Sequence, residues 1–268
     1  MSRCRKSRST MSAIRWGAAS LVGAFILGIA PAAHAEDDAA KILKAMSDYV
    51  TGQQSISISF DSDIEVMTTD MQKIQFASSG KVLLNRPDKL RITRTGGYSD
   101  VELVYDGKTV TLLGKNVNAY AQKDAPGNVD QLIERIRDES NISMPGADLL
   151  LSRVYDELTT DVLEGKHIGQ GVIDGVECEH LAFRGPEIDW QLWVETGARP
   201  IPRKYVITSK TTTGAPQYTL RVKEWKTDAP ASPDAFVFKP PADAKKAEFA
   251  ALHDVDEIPP GQVMGGKK

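Results

Sequence analysis

Two periods of apolar residues alternate along this chain. Ala39, Ile42, Leu43, Met46 and Val50 recur at helical spacing, behind an acidic start at Asp37 and Asp38 and ahead of a terminating Gly52. From there the period becomes two: Ile56, Ile58, Phe60, Ile64 and Val66 hold even positions, with Ser55, Ser57, Ser59 and Asp61 between them. That pattern predicts one long strand with a single apolar face.

Further short strands are expected over 81–85 and 89–95, on either side of Arg86-Pro87-Asp88, where Pro87 interrupts pairing. Residues 101–105 and 109–113 flank Asp106-Gly107, which predicts a hairpin with a two-residue primed turn. The middle is helical. Asn128 with Gln131 resembles a capping box ahead of Leu132, Ile133 and Ile136, and a second helix starting near Pro145 carries Leu150, Leu151, Val154 and Leu158 on one side. Strands resume over 166–173 and 176–184, joined by Asp174-Gly175, and continue over 190–195, 203–210 and 217–225, with turns at Thr196-Gly197 and Thr213-Gly214. Prolines bracket Phe236-Val237-Phe238, and the charged stretch 244–268, with Pro259-Pro260-Gly261, reads as a loose tail. Helix, strands, two helices, strands is the order of an α+β domain whose helices pack on an antiparallel sheet.

The first 35 residues belong to a different pattern. Arg3, Arg5, Lys6, Arg8 and Arg15 precede an apolar run over 18–30, which ends in the small-x-small site Ala33-His34-Ala35. This is the order of a cleavable secretory signal, with cleavage expected after Ala35, and Met11 would serve equally as a start. The apolar run is shorter than the ~20 residues a membrane span needs. Residues 36–243 then form one domain. The leader holds five of the 33 basic residues and none of the 36 acidic ones, so the exported chain carries net −8. Such acidity disfavours nucleic acid and anionic membrane surfaces. Cys4 leaves with the leader, and Cys178 alone cannot form an internal disulfide.

A catalytic constellation is not legible. Beyond the leader the histidines are His167, His180 and His253, with no G-x-S-x-G elbow, no H-E-x-x-H and no phosphate-cradling glycine loop. Cys178 and His180 share a strand face, but two ligands are too few for a structural zinc site, and no helix N-terminus or basic cluster adjoins the thiol in sequence. No metal and no cofactor is expected. Trp190 and Trp193 fall on opposite faces of one strand, so at most one can line a given cavity.

Four segments carry a family resemblance: Gly80-Lys81-Val82-Leu83-Leu84-Asn85-Arg86-Pro87-Asp88-Lys89-Leu90-Arg91; Val104-Tyr105-Asp106-Gly107-Lys108-Thr109-Val110; Trp190-Gln191-Leu192-Trp193-Val194-Glu195 running on to Pro202-Arg203-Lys204; and Trp225 with Phe236-Val237-Phe238-Lys239-Pro240-Pro241. In this order around a helical middle, the chain resembles the LolA/LolB-like periplasmic lipoprotein carriers, and most of all a related family of predicted periplasmic proteins of unknown function. The resemblance implies an α+β fold in which an antiparallel sheet curves into an incomplete β-barrel, with helices over its concave face and acyl chains held there. The expected ligand-facing residues are Ile56, Ile58, Phe60, Ile64 and Val66 on the long strand, with Leu150, Leu151 and Val154 on the middle helices. Two arrangements stay open, because stripes that seal a core and stripes that lid a cavity look alike in sequence. The function expected is non-enzymatic binding or carriage of a lipid or acylated lipoprotein. Its rivals are a module that recognises an envelope lipoprotein or membrane protein with the same face, and a hydrolase with an unfamiliar site.

Overall fold

A computed structural model describes residues 33–139, 144–227, 232–249, 252, 255 and 257–259. The basic and apolar stretch of the leader lies outside the described residues. The first helical repeat forms α1 (Ala33–Thr51), which begins ahead of Asp37. Its stripe of Ala39, Leu43, Met46 and Val50 is wholly buried. Ser47 falls on that stripe, and its hydroxyl donates to the Leu43 carbonyl at 2.8 Å, so it is not buried unpaired.

Two antiparallel meanders follow. The first runs β1 (Ser55–Met67), β2 (Lys73–Asn85), β3 (Lys89–Gly96), β4 (Asp100–Tyr105), β5 (Thr109–Gly114) and β6 (Ala119–Asp124). The second runs β7 (Glu164–Ile173), β8 (Val176–Arg184), β9 (Ile188–Glu195), β10 (Pro202–Ser209) and β11 (Gln217–Thr227). β1 pairs with both β2 and β11, and this joins the meanders into one sheet. The short β12 (Lys245–Lys246) adds to β6 in parallel, giving the order β12-β6-β5-β4-β3-β2-β1-β11-β10-β9-β8-β7. Among the described residues the two edges, β12 and β7, do not pair with each other, so the sheet is open.

Turn chemistry accounts for two of the hairpins in different ways. Asp174 and Gly175 both have positive φ, 49° and 83°, so this hairpin closes with a two-residue primed turn. At the other hairpin only Gly107 has positive φ. The Asp106 carboxylate accepts from the backbone N–H of Lys108 (2.9 Å) and of Thr109 (2.7 Å), which makes a longer aspartate-capped loop in place of the expected primed turn.

The capping box forms reciprocally at the start of α2 (Val129–Glu139): Asn128 N–H donates to Gln131 Oε1 at 3.0 Å, and Gln131 N–H donates to Asn128 Oδ1 at 2.9 Å. The single helix expected from Pro145 onward is instead two pieces, a 3₁₀ turn (Ala147–Leu150) and α3 (Val154–Thr159). Left-handed Gly146 (φ 82°) sets the first turn, and Leu151 is extended (φ −66°, ψ 159°). The Leu151 carbonyl accepts from Arg86 Nη2 at 3.3 Å, and the Ser152 N–H donates to Asp130 Oδ1 at 3.0 Å. Backbone groups that would have continued the helix are thereby held by α2 and by the turn between β2 and β3.

One face of the sheet wraps around these helices. Its even-period residues form a single cluster with α1, α2, the 3₁₀ turn and α3, including Ile56, Leu84, Leu90, Tyr105, Leu181, Leu192 and Tyr205. Tyr105 also fixes the loop before α2: its hydroxyl lies 2.9 Å from the Ala125 carbonyl and 2.7 Å from that of Gly127, and can donate to either. The opposite face of β3 and β4 is covered by a 3₁₀ turn (Pro233–Phe236), whose Ala235 carbonyl accepts from Arg91 Nη1 at 2.8 Å while Arg91 also pairs with Glu102. The described residues of the charged stretch 244–268 are held against the domain: Leu252 is buried, and Glu257 contacts Ser62, Ser78 and Arg94.

Candidate functional site

Where the inward face of β1 to β5 and β11 is not filled by a helix, a cavity of about 150 Å³ remains. Its floor is Ile58 and Phe60 of β1, Val82 of β2, Ile92 of β3, and Leu220, Val222 and Trp225 of β11. These residues are cross-strand neighbours, since Ile58 stands opposite Val82 and Trp225, and Phe60 opposite Gly80 and Val222. Gly80 has a steric role here. A Cβ on it would lie 2.4 Å from the Phe60 ring, so its missing side chain is what lets that ring lie flat across β2. The roof is the stretch from Met144 through the 3₁₀ turn, including Pro145, Leu149 and Leu150.

One end of the cavity is polar. Arg94, Tyr218 and Glu257 line it together with Val255. Ser62 and Ser78 stand just beyond, nearly fully buried, with their hydroxyls 2.9 Å apart. Burial, with the nearby Glu257 carboxylate adding to it, raises the Tyr218 phenol well above its ordinary value, so it is a neutral hydrogen-bonding group at any physiological pH.

Of the residues expected to face a ligand, Ile58, Phe60 and Leu150 line the cavity. Ile56, Leu151 and Val154 are fully buried in the surrounding core. Ile64 and Val66 lie further along β1, outside the lining. The roof is the 3₁₀ stretch, and no residue of α2 or α3 lines the cavity. The sequence reading missed Val82, Ile92 and Val222, although Val82-x-Leu84 and Leu90-x-Ile92 show the same period-two signal as β1. It missed Arg94 and Glu257 as well.

Cys178 and His180 share the outward face of β8. Cys178 is wholly buried, and its Sγ lies 3.5 Å from the Val176 carbonyl. Burial pushes the thiol up from its ordinary range. His180 stacks on Trp193 with 4.0 Å between ring centroids, places its Nε2 2.9 Å from Gln191 Oε1, and is pulled down in pKa by burial. Among the described residues no group of three or more metal-ligating side chains converges. A thiol so buried should react with a thiol reagent at neutral pH orders of magnitude more slowly in the folded protein than after unfolding. Labelling at the rate of a free thiol in solution would show that the strand exposes it. Cys178→Ser should cost about 1–3 kcal/mol, because a more polar hydroxyl is taken wholly out of water there.

The chain belongs to the family described as "Predicted periplasmic protein (DUF2092)", whose model matches residues 39–250. No curated protein matches it. Among solved structures it is similar to an uncharacterized conserved protein from Thermus thermophilus, at 12% identity and a TM-score of 0.46, covering 79% of this chain and 99% of that one. It is also similar to MucB of Pseudomonas aeruginosa, solved in complex with MucA, at 10% identity and a TM-score of 0.44, covering 75% of this chain and 61% of that one. A putative outer membrane lipoprotein-sorting protein domain from Vibrio parahaemolyticus matches at 9% identity and a TM-score of 0.34, covering 75% of this chain and 97% of that one.

Proposed function

We propose that this member of the predicted periplasmic family is a non-enzymatic binding protein or carrier for an amphiphile, either a lipid or the acylated end of a lipoprotein. The observation that carries this reading is the cavity itself: apolar on its floor and roof, polar at one end, and about 150 Å³ in volume. Apolar cavities of that size exclude ordered water and accept a benzene-sized guest. A single short acyl chain can therefore enter end-first, each buried methylene contributing about 0.8 kcal/mol, while the polar end of the ligand stays at the mouth. Transfer between membranes needs such a site, one that keeps a chain dry and still releases it. The exported form is expected to begin at Glu36, since Ala33 and Ala35 fit the signal-peptidase pockets. The intact mass of protein from the cell envelope checks this, and a mass that retains residues before Ala32 would refute it.

The direct test is saturable binding of an environment-sensitive fluorescent fatty acid. Val222→Phe places a ring in the cavity and should weaken the probe by about tenfold or more while shifting the melting temperature by only a few degrees. Ile58→Asp sets a carboxylate beside the chain and should also weaken it, with melting measured in parallel because Ile58 is only 7% exposed. A folded wild type that takes up no probe, together with substitutions that alter only melting, would mean that the residues form a closed core. It would move the assignment to a module that recognises an envelope protein.

A further inference from the structure

The polar end of the cavity is built like a carboxylate site, and one of the protein's own side chains holds it. Ser62 and Ser78, on the inward faces of β1 and β2, both donate to Glu257 Oε1, Ser62 at 3.3 Å. Arg94, on the inward face of β3, places its Nε 3.7 Å from the same oxygen, and that Nε is buried without a hydrogen-bond partner among the described residues. Its Nη2 is committed elsewhere, donating to Ser99 Oγ at 3.0 Å and to the Val255 carbonyl at 2.6 Å. The Arg94 and Glu257 side chains are only 17% and 11% exposed, so the pair is largely out of water. Val255, two residues before the carboxylate, lines the cavity. An apolar group in the cavity and a carboxylate on the serine–arginine set together have the outline of a short fatty acid.

We propose that Ser62, Ser78 and Arg94 form the headgroup site for a single-chain amphiphile with a carboxylate head, and that Glu257 occupies this site in cis until such a ligand displaces it. The inference rests on the reading of the cavity as an acyl site and specifies its ligand class. The cavity is too small for several chains, and the donor set fits one carboxylate. A neutral head of the same chain length finds nothing to replace at the mouth. An anionic one takes over hydrogen bonds that the site already makes, and hydrogen bonds to charged groups are the stronger kind.

The test compares hexanoate with hexanol, whose tails match a benzene-sized cavity, each displacing the fluorescent probe from the full exported chain, with melting followed on every variant. Glu257→Ala should tighten hexanoate by about tenfold or more relative to hexanol, because removing the cis carboxylate frees the site. Adding Arg94→Gln to that variant should abolish the gain for hexanoate over hexanol. Hexanol binding reports the state of the cavity in each variant, and Glu257→Gln serves if Glu257→Ala melts early. Should the acid and the alcohol shift together, or Arg94→Gln weaken both alike, the headgroup site is overturned while acyl binding stands. Should neither compound bind any folded variant, the acyl site falls, and this proposal with it.

Discussion

Trp190→Ala is expected to lower the unfolding free energy by about 3–5 kcal/mol, and Trp193→Ala, three residues along the same strand, by no more than about 1.5 kcal/mol. The difference comes from the pleat. Trp190 is 4% exposed and lies on the inward face of β9, its ring stacked on Phe183 at 4.0 Å and meeting Tyr205 edge-on at 5.9 Å. Truncating it leaves a cavity in the middle of the second meander, between β8 and β10, where backbone pairing on both sides prevents collapse. Trp193 points outward, half-buried, sandwiched by the His180 ring and by Lys204 Nζ at 4.8 Å. Its loss removes a half-buried stack and a cation–π contact at the surface, and water fills the space. Urea unfolding of both variants with a shared m-value checks the prediction. Equal losses would mean that the face assignment of β9 is wrong, and with it the direction in which the sheet curls.

That alternation was legible from residues 190 and 193 alone, as were the stripe of α1 and the capping box of α2. Each is a local pattern with a local cause. The parts that were not legible depend on contacts distant in sequence. β2 runs back to Lys73 through a polar stretch because β1 is long enough to pair with it from Ser55 to Met67. The helix expected from Pro145 breaks at Leu151 because its backbone is held by Arg86, 65 positions away. The extent of the cavity belongs to the same class. Period two assigns Ile56, Ile58, Phe60, Ile64 and Val66 to one face, but the position of the roof decides which of them line a cavity and which are core. Arg94 left a readable signal, since it follows Leu90 and Ile92 on an inward apolar face, as Ser62 follows Phe60. Polar residues at inward positions mark a site or a buried network. Glu257, which completes this one, lies 179 positions from Ser78, and no spacing rule could have joined them.

Gly80→Ala, the smallest substitution the chain allows at this position, should cost about 3 kcal/mol or more and impair ligand uptake as well. Gly80 stands in the middle of β2, between Phe60 of β1 and Arg94 of β3. A methyl group there would lie 2.4 Å from Phe60 Cζ, 2.7 Å from Cε1 and 2.5 Å from the Thr93 carbonyl oxygen. The ring can swing away, but only by leaving the cavity floor. The carbonyl belongs to the backbone of the adjoining strand, and moving it strains the pairing of β2 with β3. The two clashes can be separated. In a Phe60→Leu background the ring contribution is gone, so Gly80→Ala should cost measurably less there than in the wild type, the remainder being the Thr93 contact. Chemical unfolding of the four proteins gives the coupling, and probe titration of each gives the effect on the cavity. If Gly80→Ala costs the same in both backgrounds, the ring does not lie over Gly80. In that case Phe60 is not the floor of the cavity, and the acyl site would need a different lining.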